Sequence, residues 1–193
     1  AELAQKRFLP NDSVAQELAR LAHDNEFWER TDKQAQQLAD IIASGIDPKE
    51  LADNLSRGIL WSEHLEKLRN AYLEKKTAAL QDILKHLTIK NILQYKFGFT
   101  LAPTLLPTAD AGQHLLDNHA GIDVSVVLYR NGRISFRKRD TCQLHLGELA
   151  KLFGGGGHSY AGGAKLAAFP SITREQFEKA VFAVDQKLKQ HLL

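Results

Sequence analysis

Apolar positions recur at helical spacing through the first half of the chain, then change near Thr88 to a β-branched and aromatic pattern. Asp12-Ser13, with Gln16 three residues after Ser13, predicts a helix start, and Val14, Leu18 and Leu21 carry its stripe to about Phe27. A second helix is expected from Asp32 to about Ser44, stopped by Gly45. Asp47-Pro48-Lys49-Glu50 opens a third, with Asp as cap, Pro in the first turn and Glu returning the capping bond; Leu51 and Leu55 face inward. The longest periodic segment, Ile59 to Leu87, places Leu65, Leu68, Tyr72, Leu73, Leu80, Ile83, Leu84 and Leu87 on one packing face.

Beyond Thr88 the run Ile89, Ile92, Leu93, Tyr95, Phe97, Phe99, Leu101 predicts one or two strands that Pro103 and Pro107 interrupt. A helix follows from Thr108 to about Asn118. Val124–Tyr129 is an unbroken apolar run, expected of a strand covered on both faces. Asn131-Gly132 predicts a two-residue hairpin turn, which sets Tyr129 opposite Ile134, Val127 opposite Phe136 and Val126 opposite Arg137. Ser135, Arg137 and Arg139 then share one face. Gln143 to Leu152 reads as a short amphipathic helix, Lys165 to Phe169 as a return strand. Thr173 with Gln176 opens a last helix that packs through Phe177, Val181, Val184 and Leu188. The expected fold is α+β: a helical segment over residues 1–87, then a mixed-sheet domain with flanking helices over residues 88–193.

Composition narrows the class. A chain of 193 residues with 44% hydrophobic content can build one or two cores, and it contains no apolar run of membrane-spanning length and no visible signal sequence. The single Cys142 excludes an internal disulfide framework and is expected in a reducing, cytoplasmic compartment as an inert thiol. Met is absent, even at position 1, which leaves two readings: a piece of a longer chain, or a sequence from which modified methionines have dropped out. Net charge is +2, with 14 Lys/Arg against 15 Asp/Glu in residues 1–100 and 11 against 8 in residues 101–193. The basic excess gathers at Arg130, Arg133, Arg137, Lys138 and Arg139, so any electrostatic footprint is local.

Candidate chemistry concentrates in Phe153-Gly154-Gly155-Gly156-Gly157-His158-Ser159-Tyr160-Ala161-Gly162-Gly163, which holds six of the thirteen glycines. Consecutive N–H groups with no Cβ in the way can form a concave donor surface for phosphate oxygens; a helix C-cap followed by a flexible loop is the plainer reading. Arg137 stands among aliphatic residues, where a guanidinium needs a partner, and its fork can grip phosphate through two parallel bonds. Arg133, Lys138 and Arg139 read as edge-strand charges. Tyr160 is suited equally to stacking on a base and to packing. His23-Asp24-Asn25-Glu26 points in four directions around a helix and reads as capping or solvated residues; His114 and His119 lack partners at ligand spacing. No Gly-Lys-Ser/Thr follows the glycines, which excludes a Walker-type loop.

Leu152-Phe-Gly-Gly-Gly-Gly-His-Ser-Tyr-Ala-Gly-Gly163 resembles the signature loop of the DHHA1 domain, the C-terminal domain of the DHH family of phosphoesterases. The resemblance extends through Asp123–Tyr129, the Asn131-Gly132 turn and Ile134–Arg139 and covers about half of the chain. It implies that Arg137, Gly154, Gly155, Gly156, Gly157, His158, Ala161 and Gly162 contact substrate phosphates and nucleotide, that residues 1–87 join the two domains of such a protein, and that short oligonucleotides or dinucleotides are the ligands. No Asp-His-His and no Asp-x-Asp occurs in this sequence. The motifs that hold Mn²⁺ in the family are therefore missing, and the resemblance implies that a DHH catalytic domain is the partner, that this chain binds no metal, and that alone it hydrolyses nothing. Two alternatives stand beside this reading. The domain also closes alanyl-tRNA synthetases, where it binds RNA or mediates assembly, although there the glycines resemble a run followed by Arg-Pro-Asp and not His158-Ser-Tyr. A small helical interaction module with a flexible glycine loop is the other; whether the hairpin edge forms a homodimer is left open by the sequence.

Overall fold

The computed structural model describes residues 1–27 and 29–192. These residues form two compact units, Ala1–Lys75 and Lys76–Leu193.

The first unit is helical: α1 (Glu2–Phe8), α2 (Ser13–Glu26), α3 (Lys33–Ala43), α4 (Pro48–Ser56) and the first turns of α5 (Glu63–Lys85). Aspartates start three of these helices. The Asp12 side chain accepts from Ala15 N–H at 2.8 Å, Asp32 from Gln34 N–H at 2.6 Å, and Asp47 from Lys49 N–H at 2.8 Å. Asp12, one residue before Ser13, is thus the cap of α2, and Gln16 does not return a capping bond; its amide donates to Pro10 O instead at 2.9 Å. Ile41, Ile46, Leu51 and Leu65 form the core of the unit. Asp24 is buried and accepts from Thr31 Oγ1 at 2.5 Å and from the amides of Thr31 and Asp32, so it organises the turn into α3.

The second unit contains the C-terminal turns of α5, then β1 (Thr88–Ile92), β2 (Tyr95–Ala102), α6 (Thr108–Asn118), β3 (Val124–Tyr129), β4 (Arg133–Lys138), α7 (Leu146–Lys151), β5 (Gly156–Gly157), β6 (Ala161–Lys165) and α8 (Arg174–Leu192). Among the described residues the sheet has the order β1-β2-β3-β4-β6-β5, with β2 and β3 parallel and every other pair antiparallel. It is the mixed sheet of an α+β fold. The periodic segment expected from Ile59 is a helix only from Glu63, and Leu80, Ile83, Leu84 and Leu87 from its end pack with the sheet's own helices. No helix among the described residues is long and apolar enough to cross a membrane.

Period-two alternation divides the sheet's side chains between two helical layers. Phe97, Phe99, Val124, Val126, Leu128, Ile134 and Phe136 meet Leu146, Leu149 and Ala150 of α7 and Phe177, Val181, Val184 and Leu188 of α8. Val127 and Tyr129 point the other way, toward Ile83 of α5 and Ala111 of α6. Thr100, fully buried on that second face, donates to Ile83 O at 2.7 Å. The opening of α8 follows the expected capping box: Thr173 N–H donates to Gln176 Oε1 at 3.1 Å, and Gln176 N–H to Thr173 Oγ1 at 3.4 Å.

Two strand expectations need correction. The β3–β4 hairpin pairs Leu128 with Ile134, Val127 with Ser135, Val126 with Phe136 and Ser125 with Arg137. This is one residue off the two-residue-turn register. The loop holds three residues, Arg130 to Gly132, closed by Gly132 N–H to Tyr129 O at 2.9 Å, with Gly132 at φ +78° in the left-handed conformation that completes such loops. The return strand is not Lys165–Phe169 but β6, Ala161–Lys165, which with β5 lies inside the glycine stretch. Glycine-rich strands carry no pattern of β-formers, so propensity alone gives no sign of them.

Candidate phosphate groove on the second unit

The glycine stretch is a pair of strands laid directly against a helix. Its amides do not form a free donor surface: Gly154 N–H bonds Lys151 O at 3.0 Å, Gly155 N–H bonds Ala150 O at 3.0 Å, and His158 N–H bonds Ala161 O at 2.7 Å. The glycines are needed chiefly for closeness. A Cβ on Gly162 would lie 2.6 Å from Leu146 O, and one on Gly155 would overlap Gly163 O. A side chain at Gly162 would push α7 off β6, and one at Gly155 would push against β6 itself.

Between the first turn of α6 and the β5–β6 pair the sheet is uncovered, and an open groove of about 450 Å³ lies there. Its walls are Thr108 and Ala109 of α6, Arg133 to Arg137 of β4, Gly156 and Gly157 of β5, and Ala161 to Ala164 of β6. Arg137 is half-buried and sits opposite Ala161 in the β4–β6 ladder. Above it, α6 approaches so closely that a Cβ on Gly112 would stand 3.2 Å from both Arg137 Cβ and Ser125 Oγ, so the arginine's stem is fixed under the helix. No side chain caps α6, whose N-cap is Pro107. Its first-turn amides and the positive end of its dipole lie at this end of the groove, with Asp110 of the same turn paired to Lys76 Nζ at 2.6 Å. Gly156 leaves open space where a Cβ would be.

The structure thus brings together Arg137, Gly156, Gly157, Ala161 and Gly162 of the expected contact residues. Gly154, Gly155 and His158 are not among the residues that line the groove. Gly154, at φ +76°, turns the chain out of α7, and Gly155 fits beneath β6. His158 is at the tip of the β5–β6 hairpin, exposed and stacked on Tyr160, with ring centroids 5.4 Å apart and planes 6° apart. Thr108, Ala109, Arg133, Ser135 and Gly163 are groove residues that sequence reasoning missed. Alternation along β4 was the available signal for Arg133 and Ser135, since both share the face of Arg137.

Lys138 and, just past β4, Arg139 have structural work, and β4 is an interior strand rather than an edge. Arg139 donates to three carbonyls at the end of α6 and beyond it: Leu116 O, His119 O at 2.9 Å and Ile122 O at 2.8 Å. Lys138 Nζ donates to Cys142 O at 2.7 Å. The Arg133 guanidinium lies 5.4 Å from the centre of the Tyr129 ring, within cation–π range. Burial pushes the Tyr129 phenol above its ordinary pKa, partly offset by Arg133 and Ser135 beside it. Among the described residues no three His, Cys, Asp or Glu side chains cluster to hold a metal ion. The donor set does not fit the Mn²⁺ expected of intact family members, and no step is assigned to a metal on this chain.

The DHHA1 domain family matches residues 106–190, which include the whole groove. Similar solved structures include RecJ from Thermus thermophilus in complex with Mn²⁺, at 16% identity over 79% of this chain and 24% of that one, TM-score 0.48. The pGpG-specific phosphodiesterase PggH from Vibrio cholerae is similar at 15% identity over 76% of this chain and 52% of its own, TM-score 0.46. The C-Ala domain of alanyl-tRNA synthetase from Aquifex aeolicus is similar at 17% identity over 53% of this chain and 98% of that chain, TM-score 0.38. The chain spans about half or less of the length of the RecJ and PggH chains. No curated protein matches it.

Proposed function

We propose, from the match of residues 106–190 to the DHHA1 domain family, that the groove between α6 and β5–β6 holds the phosphates of a short oligonucleotide or dinucleotide. The chain would serve as the substrate-binding part of a DHH-type phosphodiesterase, with hydrolysis and the divalent metal belonging to a DHH catalytic domain, since Asp-His-His does not occur among these 193 residues. The observation that carries the reading is that Arg137 lines one groove together with side-chain-free backbone at Gly156, Gly157, Gly162 and Gly163. Guanidinium groups grip a phosphate through paired bonds, and glycine backbone lets the phosphate chain come close. Binding energy gathered here would orient a scissile bond for attack elsewhere.

The test is titration of a pApA-type dinucleotide into the chain at several salt concentrations, beside Arg137→Ala and Gly156→Val. The reading expects binding that weakens with salt, is lost in Arg137→Ala, and is obstructed in Gly156→Val while that variant keeps its fold. A dinucleotide affinity equal in all three proteins overturns it.

A further inference from the structure

A second cavity of the Lys76–Leu193 unit, about 320 Å³ in volume, shares no lining residue with the groove. It opens where the parallel strands β2 and β3 end, beside the last turns of α5 and the first turns of α8. Leu87, Leu101, Pro103 and Phe177, all at least half-buried, give it an apolar floor. Arg130, Arg174, Asp82 and Glu178, all exposed, form a charged rim. The volume is at the lower end for small-molecule sites, and the lining has their usual make-up of an apolar base with a few polar groups.

The fold leaves the rim charges largely unused. The Arg130 guanidinium has no hydrogen bond or ion pair among the described residues, yet its backbone is held on both sides: its N–H donates to Ala102 O at 3.2 Å, and its carbonyl accepts from Ile172 N–H at 2.9 Å. Arg174 stands 3.8 Å from Asp82 Oδ2, and His86, also in the lining, stands 3.9 Å from Asp82 Oδ1. Both contacts are longer than a hydrogen bond. Glu178 Oε1 accepts from Thr88 Oγ1 at 3.1 Å, which leaves the second oxygen of that carboxylate to accept elsewhere. Two guanidiniums face two carboxylates, so the rim's formal charges cancel. A dianionic phosphate attracted by one pair would be repelled by the other. A zwitterion uses both.

We propose that this cavity binds a small zwitterion with an apolar side chain, an aliphatic α-amino acid. Arg130 takes its carboxylate through the paired bonds of the guanidinium fork, with Arg174 beside it. Asp82 and Glu178 accept from its ammonium, and its side chain leaves water for the surface of Leu101, Pro103 and Phe177. Occupancy here needs nothing from the phosphate groove.

The experiment titrates the isotope-labelled full chain, by amide NMR, with L-leucine, with leucinamide, which lacks the carboxylate, and with isocaproate, which lacks the ammonium. Parent, Arg130→Gln and Glu178→Gln are compared. Both residues are exposed, and a glutamine in place of Glu178 still accepts from Thr88, so thermal melts of both variants should match the parent. Leucine is expected to move the amides of Leu87, Leu101 and Phe177, and each truncated ligand to bind about tenfold more weakly or worse, the loss expected for one charged hydrogen-bonding group. Arg130→Gln should weaken leucine and isocaproate and leave leucinamide unchanged; Glu178→Gln should weaken leucine and leucinamide and leave isocaproate unchanged. Equal affinity for the three ligands, or variants that bind leucine as the parent does, overturns the proposal. So does the absence of any shift at millimolar leucine, or a set of shifts confined to Gly156–Ala164.

Discussion

Gly147 of α7 and Gly157 of β5 touch backbone to backbone: a Cβ on Gly147 would overlap the carbonyl group of Gly157 and stand 3.1 Å from His158 O. The helix is thereby pressed onto the strand pair that walls the groove. Gly147→Ala is expected to cost about 1–3 kcal/mol, the usual range for overpacking against atoms that cannot move aside. Gly156→Ala, whose Cβ meets nothing within 4 Å, should leave stability almost unchanged. Urea unfolding of the two variants beside the parent checks this, and equal losses would contradict it.

Two arginines on one strand face should separate cleanly. Arg139 satisfies the carbonyls of Leu116, His119 and Ile122, so Arg139→Ala leaves acceptors unpaired and is expected to lose about 2 kcal/mol or more, given about 1.5–3 kcal/mol for a hydrogen bond to a charged group. Arg139→Lys should recover only part, because one ammonium cannot reproduce the planar fork. Arg137→Lys is expected to weaken the dinucleotide, because an ammonium cannot make the paired bonds of the guanidinium fork. Thermal melts and ligand titrations on the same preparations decide it.

At alkaline pH the buried acids of the sheet should matter. Burial raises both the Tyr129 phenol and the Cys142 thiol above their ordinary values. The unfolded chain therefore ionises first, and the stability these groups contribute is intact below the ordinary pKa values and lost as pH rises through the folded ones. Tyr129→Phe should be close to neutral at pH 7, because the buried hydroxyl forms no well-aligned hydrogen bond among the described residues, and it should exceed the parent in stability above roughly pH 10. Unfolding free energies measured across the alkaline range test the crossing.

The helical unit contributes to the acid limb through a buried carboxylate. The hydroxyl of Thr31, then the amides of Thr31 and Asp32, hold the Asp24 carboxyl below its usual range against the opposing effect of burial. A depressed folded pKa contributes stability above the unfolded value and loses it as pH falls through the folded one, so the turn into α3 should loosen below about pH 4. Asp24→Asn is expected to weaken that turn at neutral pH and to reduce its acid dependence, leaving the part that the α3 cap Asp32, also held below its usual range, contributes. Amide exchange at Thr31 and Asp32 in the full chain gives the readout; identical pH profiles in parent and variant would count against it.

Local signals were legible in the sequence because they act within one turn of chain. Asp32 and Asp47 mark their helix starts, Thr173 with Gln176 marks the last one, and the unbroken run Val124–Tyr129 marks a strand with helices on both faces. The glycine density around His158 marked the stretch that forms β5 and β6, and Arg137 the strand that lies beside them in the groove. What the sequence alone did not reveal depends on contacts between distant segments. A three-residue loop and a two-residue turn are both compatible with Arg-Asn-Gly, so only pairing decided that Ser125, and not Val126, faces Arg137. Gly155 reads in sequence like its neighbours, but its N–H is bonded to Ala150 O and its Cα faces β6, outside the groove; Arg139 reads as a surface charge, but the end of α6 lies beneath it. His158 followed the glycines in sequence but stands outside the groove with Tyr160, because a hairpin turn sends its side chain beyond the strands that form the wall. Residue type and spacing determined which groups were available; the closeness of α7 to β5–β6, and the gap that α6 leaves on the sheet, decided which of them face the same space.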